Sequence, residues 1–387
     1  MQAAAAETDA TTGRAIWRKV ALVALVVTGT AIILGAWLNS ALQSRFLAWD
    51  FTGFYIAARV PMHLLYSPKA FAAFWHSDLA RLGARHWSPY VRPSIFAVLS
   101  RPLGTLPYWR AFLVWGVAGF CSYAACVAIL VRRFRLPAYI VPAYASFFPA
   151  IVGLTSGQDA CIFLLLVIIG WLLLERRQDW LAGLIFALCL YKYNLILLIP
   201  VLLVMKRRFR ALASFATGGA LLAATSVALA SPREYLDVLI NIRRILPDAF
   251  PVGLRGFAEA IGLPWSYPVL AVIVLAMCCW LMKRLPLTEA FCTAIVGMLL
   301  IAPSIAWYDS TLLVLPIAVV FGRSGTAVRV VCLLILVMQW LWVNAGGPIA
   351  VTHAAVELFI LGYFTLYALQ LRRTAQNSKP ELSAAAA

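Results

Sequence analysis

The chain has 387 residues, of which 63% are hydrophobic and 12% charged, and its formal net charge is +17. A water-soluble domain has no use for that much apolar surface, so lipid is the solvent for most of this chain and length does not count its domains. Its Lys and Arg residues fall in short clusters between apolar runs, a distribution that orients a membrane protein and argues against a nucleic-acid partner.

In chain order, residues 1–17 read as a cytoplasmic tail with Arg14 near its end, and Arg18 and Lys19 follow it. The apolar run Val20 to Leu38 is too long for a signal-peptide core and lacks an A-x-A cleavage site, so it reads as an uncleaved first span, 18–38. Downstream, the clusters at 132–135, 175–178, 205–210, 283–284, 322–329 and 371–373 mark cytoplasmic turns. Spans of about twenty residues then fall near 108–131, 137–153, 160–174, 180–191, 194–205, 211–230, 267–283, 286–302, 310–321, 328–344 and 351–371. The expected fold is an all-α, multi-span helical bundle of about twelve transmembrane segments, one domain over 18–371, with a cytoplasmic tail from 372 to 387.

Two places strain this scheme. The arms 180–191 and 194–205 are short and have basic clusters at both outer ends, which suits a re-entrant hairpin as well as two full spans. The run 310–321 is also short and holds Pro316. Two far-side stretches, 39–107 and 231–266, are too long to be mere connections. In the first, Phe71, Phe74, Trp75, Leu79 and Leu82 share a helical face that suits the membrane interface. The second sets Leu236, Leu239, Ile240 and Leu246 beside Arg243 and Arg244.

Several polar residues stand out against this background. Asp50, between Trp49 and Phe51, has two readings: a helix cap, or a carboxylate partly desolvated by aromatic rings and so suited to act as a general base. Tyr55 lies one turn further on as a substrate contact. Tyr90, Arg92 and Arg101 are interleaved with prolines, as interface anchors or as a fork for a phosphate. Gln158 and Asp159 lie at a span end. Lys192 lies at the hairpin apex beside Tyr191 and Asn194, either meeting a lipid-linked phosphate or snorkelling to the far surface. Trp307, Tyr308 and Asp309 form another far-side turn, with aromatic faces for a sugar and a carboxylate that also suits a helix cap.

The eight cysteines lie inside apolar runs without metal-ligand spacing, and His63, His76 and His86 match no zinc pattern. The sequence holds no glycine-rich nucleotide fingerprint and no D-x-D pair, so an activated donor that is a cytosolic nucleotide conjugate is not expected.

The stretches "WDFTGFYIAARVPMHLLY" (49–66), "YVRPSIFAVLSRPLGTLP" (90–107), "GQDACIFLLL" (157–166), "AGLIFALCLYKYNLILLIPVLLVMKRRFR" (182–210) and "SIAWYDSTLLVLP" (304–316), in this order, resemble the family 87 glycosyltransferases. These are membrane enzymes of GT-C type that include polyprenol-phosphate-mannose-dependent α-mannosyltransferases of actinobacteria. The resemblance implies a polyprenyl-phosphate sugar donor, mannose first among the sugars, and a lipid or glycan acceptor. It implies a bacterial plasma membrane with the site on the extracytoplasmic side. It also implies that Asp50 is the base of an inverting transfer, that Gly157 and Gln158 match the family's Gly-Gln step, and that Lys192, with Arg92 or Arg101, meets the departing phosphate. No cofactor or metal is expected. The sequence departs from the family where "YVRPS" keeps a single proline, and where Trp307, Tyr308 and Asp309 occupy a loop that carries histidine in some members. The rival reading is a transporter or flippase of lipid-linked sugars, sharing the spans and the intramembrane lysine.

Overall fold

In hydrocarbon a backbone must satisfy its own hydrogen bonds, and long apolar runs therefore fold as helices. A computed structural model describes residues 48–79, 88–245, 252–344 and 349–384, and the regular elements among them are all helical. The expected span 18–38, the tail before it, and Arg81, Leu82, Arg85 and Leu246 lie outside the described residues.

The first far-side stretch holds α1 (Phe51–Arg59), α2 (Pro68–Phe74) and α3 (Ser94–Gly104). Ser67 caps α2, its Oγ accepting from the N–H of Ala70 at 3.3 Å. Phe51, Tyr55, Ile56, Leu65, Phe71 and Tyr90 form a small core here, and Phe74 and Trp75 pack against it. The expected apolar face is thus covered by protein rather than left to lipid.

Then comes α4 (Tyr108–Phe134), whose 27 residues rise about 40 Å, enough to cross a bilayer. The expected span 137–153 is instead two short helices, α5 (Ile140–Ala145) and α6 (Phe148–Ser156). Pro149 has no N–H to carry the α5 hydrogen-bond ladder forward, and the break falls just before it. Next are α7 (Ala160–Glu175) and α8 (Asp179–Leu188), then a 3₁₀ segment, Cys189–Leu195, and α9 (Leu198–Met205). Arg208 Nη1 bonds Asp179 Oδ1 at 3.1 Å, so the chain enters and leaves this unit at the same end. Its arms of ten and eight residues rise about 15 Å and 12 Å, roughly half a bilayer each.

Beside it lies α10 (Phe209–Leu229). A Cβ on Gly183 of α8 would stand 2.1 Å from Ala211 O of α10, so these helices touch backbone to backbone through small residues, as membrane helices commonly do. The second far-side stretch holds α11 (Pro232–Ile245), with Leu236 and Ile240 exposed, and α12 (Gly253–Ala260). The remaining helices are α13 (Tyr267–Arg284), α14 (Leu287–Ile301), α15 (Val314–Arg323), α16 (Thr326–Asn344) and α17 (Ile349–Ala384). A 3₁₀ segment, Trp307–Leu313, precedes α15. Pro316 is tolerated because it falls in the first turn of α15, where an N–H has no helical partner to lose.

Among the described residues, four helices are long and apolar enough to cross a membrane: Tyr108–Phe134, Phe209–Leu229, Pro264–Arg284 and Ala350–Thr374. The most apolar stretch of Phe209–Leu229 is only 6% buried, an apolar surface that water would penalise and lipid would not. The shorter α14 and α15 are buried nearly all round and form the centre. All eight cysteines are free thiols.

A candidate active site at the far ends of the helices

The polar residues converge where helices break. Between α6 and α7 the chain turns sharply through Gly157, whose φ of +79° is open to glycine and strained for other residues. The turn closes with Gln158 N–H donating to Gly153 O at 2.7 Å, and leaves Gln158 and Asp159 at the start of α7. The segment before α1 is pinned to this corner. Ala48 N–H donates to Thr155 O and Asp50 N–H to Ser156 O, both at 2.9 Å, while Trp115 Nε1 donates to Gly157 O at 2.9 Å.

Asp50 directly precedes α1, but its backbone is helical (φ −73°, ψ −26°) and its side chain makes no capping bond. Thr52 ties down that helix start instead: its Oγ1 donates to Trp49 O at 2.6 Å and accepts from Ser88 N–H at 2.9 Å. The Asp50 carboxylate is therefore free for other work. It keeps partial solvent access, yet protein crowds it enough that desolvation pushes its pKa up to about 6. Hydrogen bonds with the side chains of Gln158 and Ser156, and the charges of Lys192 and Arg92, oppose that rise.

Beside Asp50 lies a buried charge cluster. Lys192 sits at the tip of the hairpin, in a non-helical kink (φ −114°, ψ 62°) that interrupts the 3₁₀ segment. Only 2% of its side chain is exposed, so it does not snorkel to a surface. Its Nζ lies 2.8 Å from Asp309 Oδ1 and 2.9 Å from Asp159 Oδ1, and 5.3 Å from the centre of the Tyr308 ring. Arg92 Nη2 reaches the same Asp159 oxygen at 3.2 Å and Gln158 Oε1 at 3.4 Å. Burial alone would raise the Asp159 pKa, but Arg92 and Lys192 overturn that and hold it below the usual carboxylate value. Asp309 does not perform the expected capping of the helix that follows, but sits inside the 307–313 segment and reaches back, its Oδ2 accepting from Ala306 N–H at 3.1 Å. Gln158 Nε2 donates to the Tyr308 hydroxyl at 3.0 Å, which ties the α7 corner to the 307–313 turn.

Two polar atoms in this cluster are buried without a hydrogen-bond partner, Arg92 Nε and the Tyr191 hydroxyl. The Arg92 guanidinium lies 5.6 Å from the centre of the Tyr191 ring, so the two belong to one locale. Buried donors are seldom left unpaired in native proteins, and an anion oxygen would satisfy both.

The other singled-out residues are placed differently. Asn194 Nδ2 donates to Ser304 O at 2.6 Å, locking the hairpin tip to the loop before Trp307. Trp307 packs edge-on against Phe148, with ring centres 5.8 Å apart. Tyr55 is buried, its hydroxyl donating to Leu106 O at 2.8 Å and accepting from Arg59 Nη1 at 2.9 Å. Tyr90 is buried beside Tyr66, with ring centres 6.4 Å apart. Tyr55 and Tyr90 both belong to the small core of the first far-side stretch. Arg101 is exposed in the last turn of α3, and the bonds that hold the cluster do not include it. Sequence reasoning missed Ser156 and Trp115, a serine ending an apolar helix and a tryptophan inside a span, neither of which carries a local signal. Among the described residues, no group of three or more His, Cys, Asp or Glu side chains is placed to hold a metal ion.

The sequence model of glycosyltransferase family 87 matches residues 90–316, more than half of the chain and all of this cluster except Asp50. No curated protein and no solved structure matches the chain.

Proposed function

The chain belongs to glycosyltransferase family 87, and with sugar transfer at a membrane as the premise we propose that Asp50 is the general base of that transfer. The donor in this reading is a polyprenyl-phosphate sugar, mannose first, and the acceptor is a hydroxyl of a lipid or glycan. The acceptor hydroxyl gives its proton to the Asp50 carboxylate as its oxygen bonds to the anomeric carbon. The bond from that carbon to the phosphate oxygen breaks on the opposite face, and polyprenyl phosphate leaves with the electron pair, inverting the centre.

Lys192 is already shared by two carboxylates, so the first phosphate contact falls to Arg92, whose Nε is unspent, together with the Tyr191 hydroxyl. Lys192 holds Asp159 and Asp309 in place and lends positive potential to the site. Preorganised charge of this kind is commonly the largest catalytic contribution, because it needs no rearrangement as the leaving group develops. The arginine-rich turns lie on the cytoplasmic side by the positive-inside rule, which puts the cluster at the extracytoplasmic end.

The observation that carries this reading is the uncapped Asp50 carboxylate, raised to about 6, on the accessible edge of a buried cluster of paired charges with orphaned donors. The test is Asp50→Asn in purified protein given radiolabelled polyprenyl-phosphate mannose and a membrane lipid extract. Product formation is expected to fall about 10³-fold, within the range for loss of a general base, with insertion and fold intact. Near-wild-type turnover overturns the assignment. Movement of donor between leaflets without a glycosidic product overturns the transfer reading itself.

A further inference from the structure

A second feature lies at the other end of the bundle. The α4 helix runs from Tyr108, whose hydroxyl donates to Ala48 O beside Asp50, to Phe134, about 40 Å away. At that far end a cavity of about 270 Å³ opens between the end of α4, the chain leading into α5 and the α15–α16 junction. Its lining includes Arg135, Arg329, Tyr139, Phe134 and Phe321, and no acidic residue.

The two arginines are arranged for an anion. Arg329 Nε donates to Phe321 O at 3.1 Å, and the guanidinium lies 5.5 Å from the centre of the Phe321 ring. Its aim is thereby fixed, while Nη1 and Nη2 carry no ion pair among the described residues. Arg135 ends α4 with φ +50° and ψ +44°, the left-handed conformation that favours glycine. The turn this makes leaves the Arg135 side chain in the cavity lining. Two neighbouring cations are already paired, Arg133 with Glu175 at 2.9 Å and Arg323 with Glu289. Arg135 and Arg329 have no carboxylate partner among the described residues.

We propose that this cavity binds the phosphate of an anionic phospholipid headgroup, with Arg135 and Arg329 as the ligands and Tyr139 and Phe321 as its apolar walls. The lipid source follows from position. The cavity opens at the arginine-rich end, at the level where headgroups lie, and basic pockets between membrane helices on this side are suited to such headgroups. The site is independent of the transfer chemistry at Asp50.

The test uses the full-length protein in nanodiscs of mixed phosphatidylcholine and phosphatidylglycerol, with retained lipid counted by native mass spectrometry after mild delipidation. Wild-type protein is expected to retain phosphatidylglycerol over phosphatidylcholine by roughly tenfold, as two arginines contribute. Arg329→Gln is expected to remove most of that preference. Arg135→Gly is the second variant: it deletes the guanidinium while relieving the left-handed backbone, so it is expected to lose the preference with no loss of thermal stability. Arg110→Gln, an exposed arginine in the first turn of α4, is expected to leave it unchanged. Equal retention of both lipids by wild type, or full preference in both cavity variants, overturns the proposal. Release of the bound lipid by millimolar inorganic phosphate also overturns it, in favour of a free-phosphate site.

Discussion

At the scale of single residues, Asp50 and Lys192 divide the work that one charged residue is often asked to do alone. Asp50 is useful because it is not fully paired. A base must be deprotonated to work, so kcat/KM is expected to rise with pH through about 6 and level off above it. Arg92 and Lys192 both stabilise the charged carboxylate. Arg92→Gln removes one of those charges, so the acid limb is expected to move to higher pH, with a raised donor KM; a limb that stays put places Arg92 outside electrostatic reach of the base. Lys192 is the opposite case, fully paired and fully buried. Lys192→Met leaves Asp309 without a cation and Asp159 with Arg92 alone, the two carboxylates facing each other across its place. The expected cost is about 3–5 kcal/mol of stability, read from thermal unfolding of the purified protein. A loss below about 1 kcal/mol, the range of exposed pairs, would show that water reaches the cluster.

At the scale of elements, what the sequence displays is what local chemistry controls. Five of the six basic clusters mark real turns, while the one at 371–373 lies inside the helix Ile349–Ala384, and three carry an arginine in the left-handed region, Arg135, Arg177 and Arg207. Each sits at the end of an apolar helix, where a cation also suits the negative end of the helix dipole. The shortness of the two arms was legible in the sequence, which left a re-entrant hairpin and two full spans open, and Lys192 drew notice from its cost in an apolar setting. Its partners were not legible. Asp309 is 117 residues away from it, and each aspartate also stands where a helix begins, so cap and ion-pair readings look alike in sequence. Nor does any residue in the run 137–153 announce that Pro149 breaks it there rather than kinking it. Gly157 shows why the corner needs its glycine: a Cβ at that position would lie 2.4 Å from Phe51 Cβ, and the backbone is left-handed besides. Phe51 is the neighbour of Asp50, so a clash there moves the base. Gly157→Ala is expected to cost about 1–3 kcal/mol, the range of overpacking, and to lower transfer by more than that loss of folded protein explains. Full activity in the residual folded fraction would separate the corner from the site.

At the scale of the molecule, the helices sort by surface and the site by depth. Short apolar helices, α14 and α15, fill the centre, while long ones such as α10 turn apolar surface outward to lipid. The sixteen residues of α7 separate Asp159 from the arginines at 176 and 177 by about 24 Å, a little less than the roughly 30 Å of a bilayer core. If α7 stands across the bilayer, as the proposed transfer requires, the charge cluster falls near the far boundary of the hydrocarbon. The proposed donor would there keep its polyprenyl tail in lipid while its phosphate meets Arg92. Such a geometry is productive only if the arginine-rich end faces the cytoplasm. Thr105 is exposed beside the far-side core and Gln178 is exposed at the arginine end, so the pair reports orientation. In intact cells, a charged membrane-impermeant maleimide is expected to label Thr105→Cys and to label Gln178→Cys only after lysis. The native thiols are poor competitors, because seven are at least partly buried and Cys121, though exposed, sits midway along the apolar α4. The reverse pattern would put Asp50 on the cytoplasmic side, where nucleotide-activated sugars are at hand, and would remove the main reason for a lipid-phosphate donor.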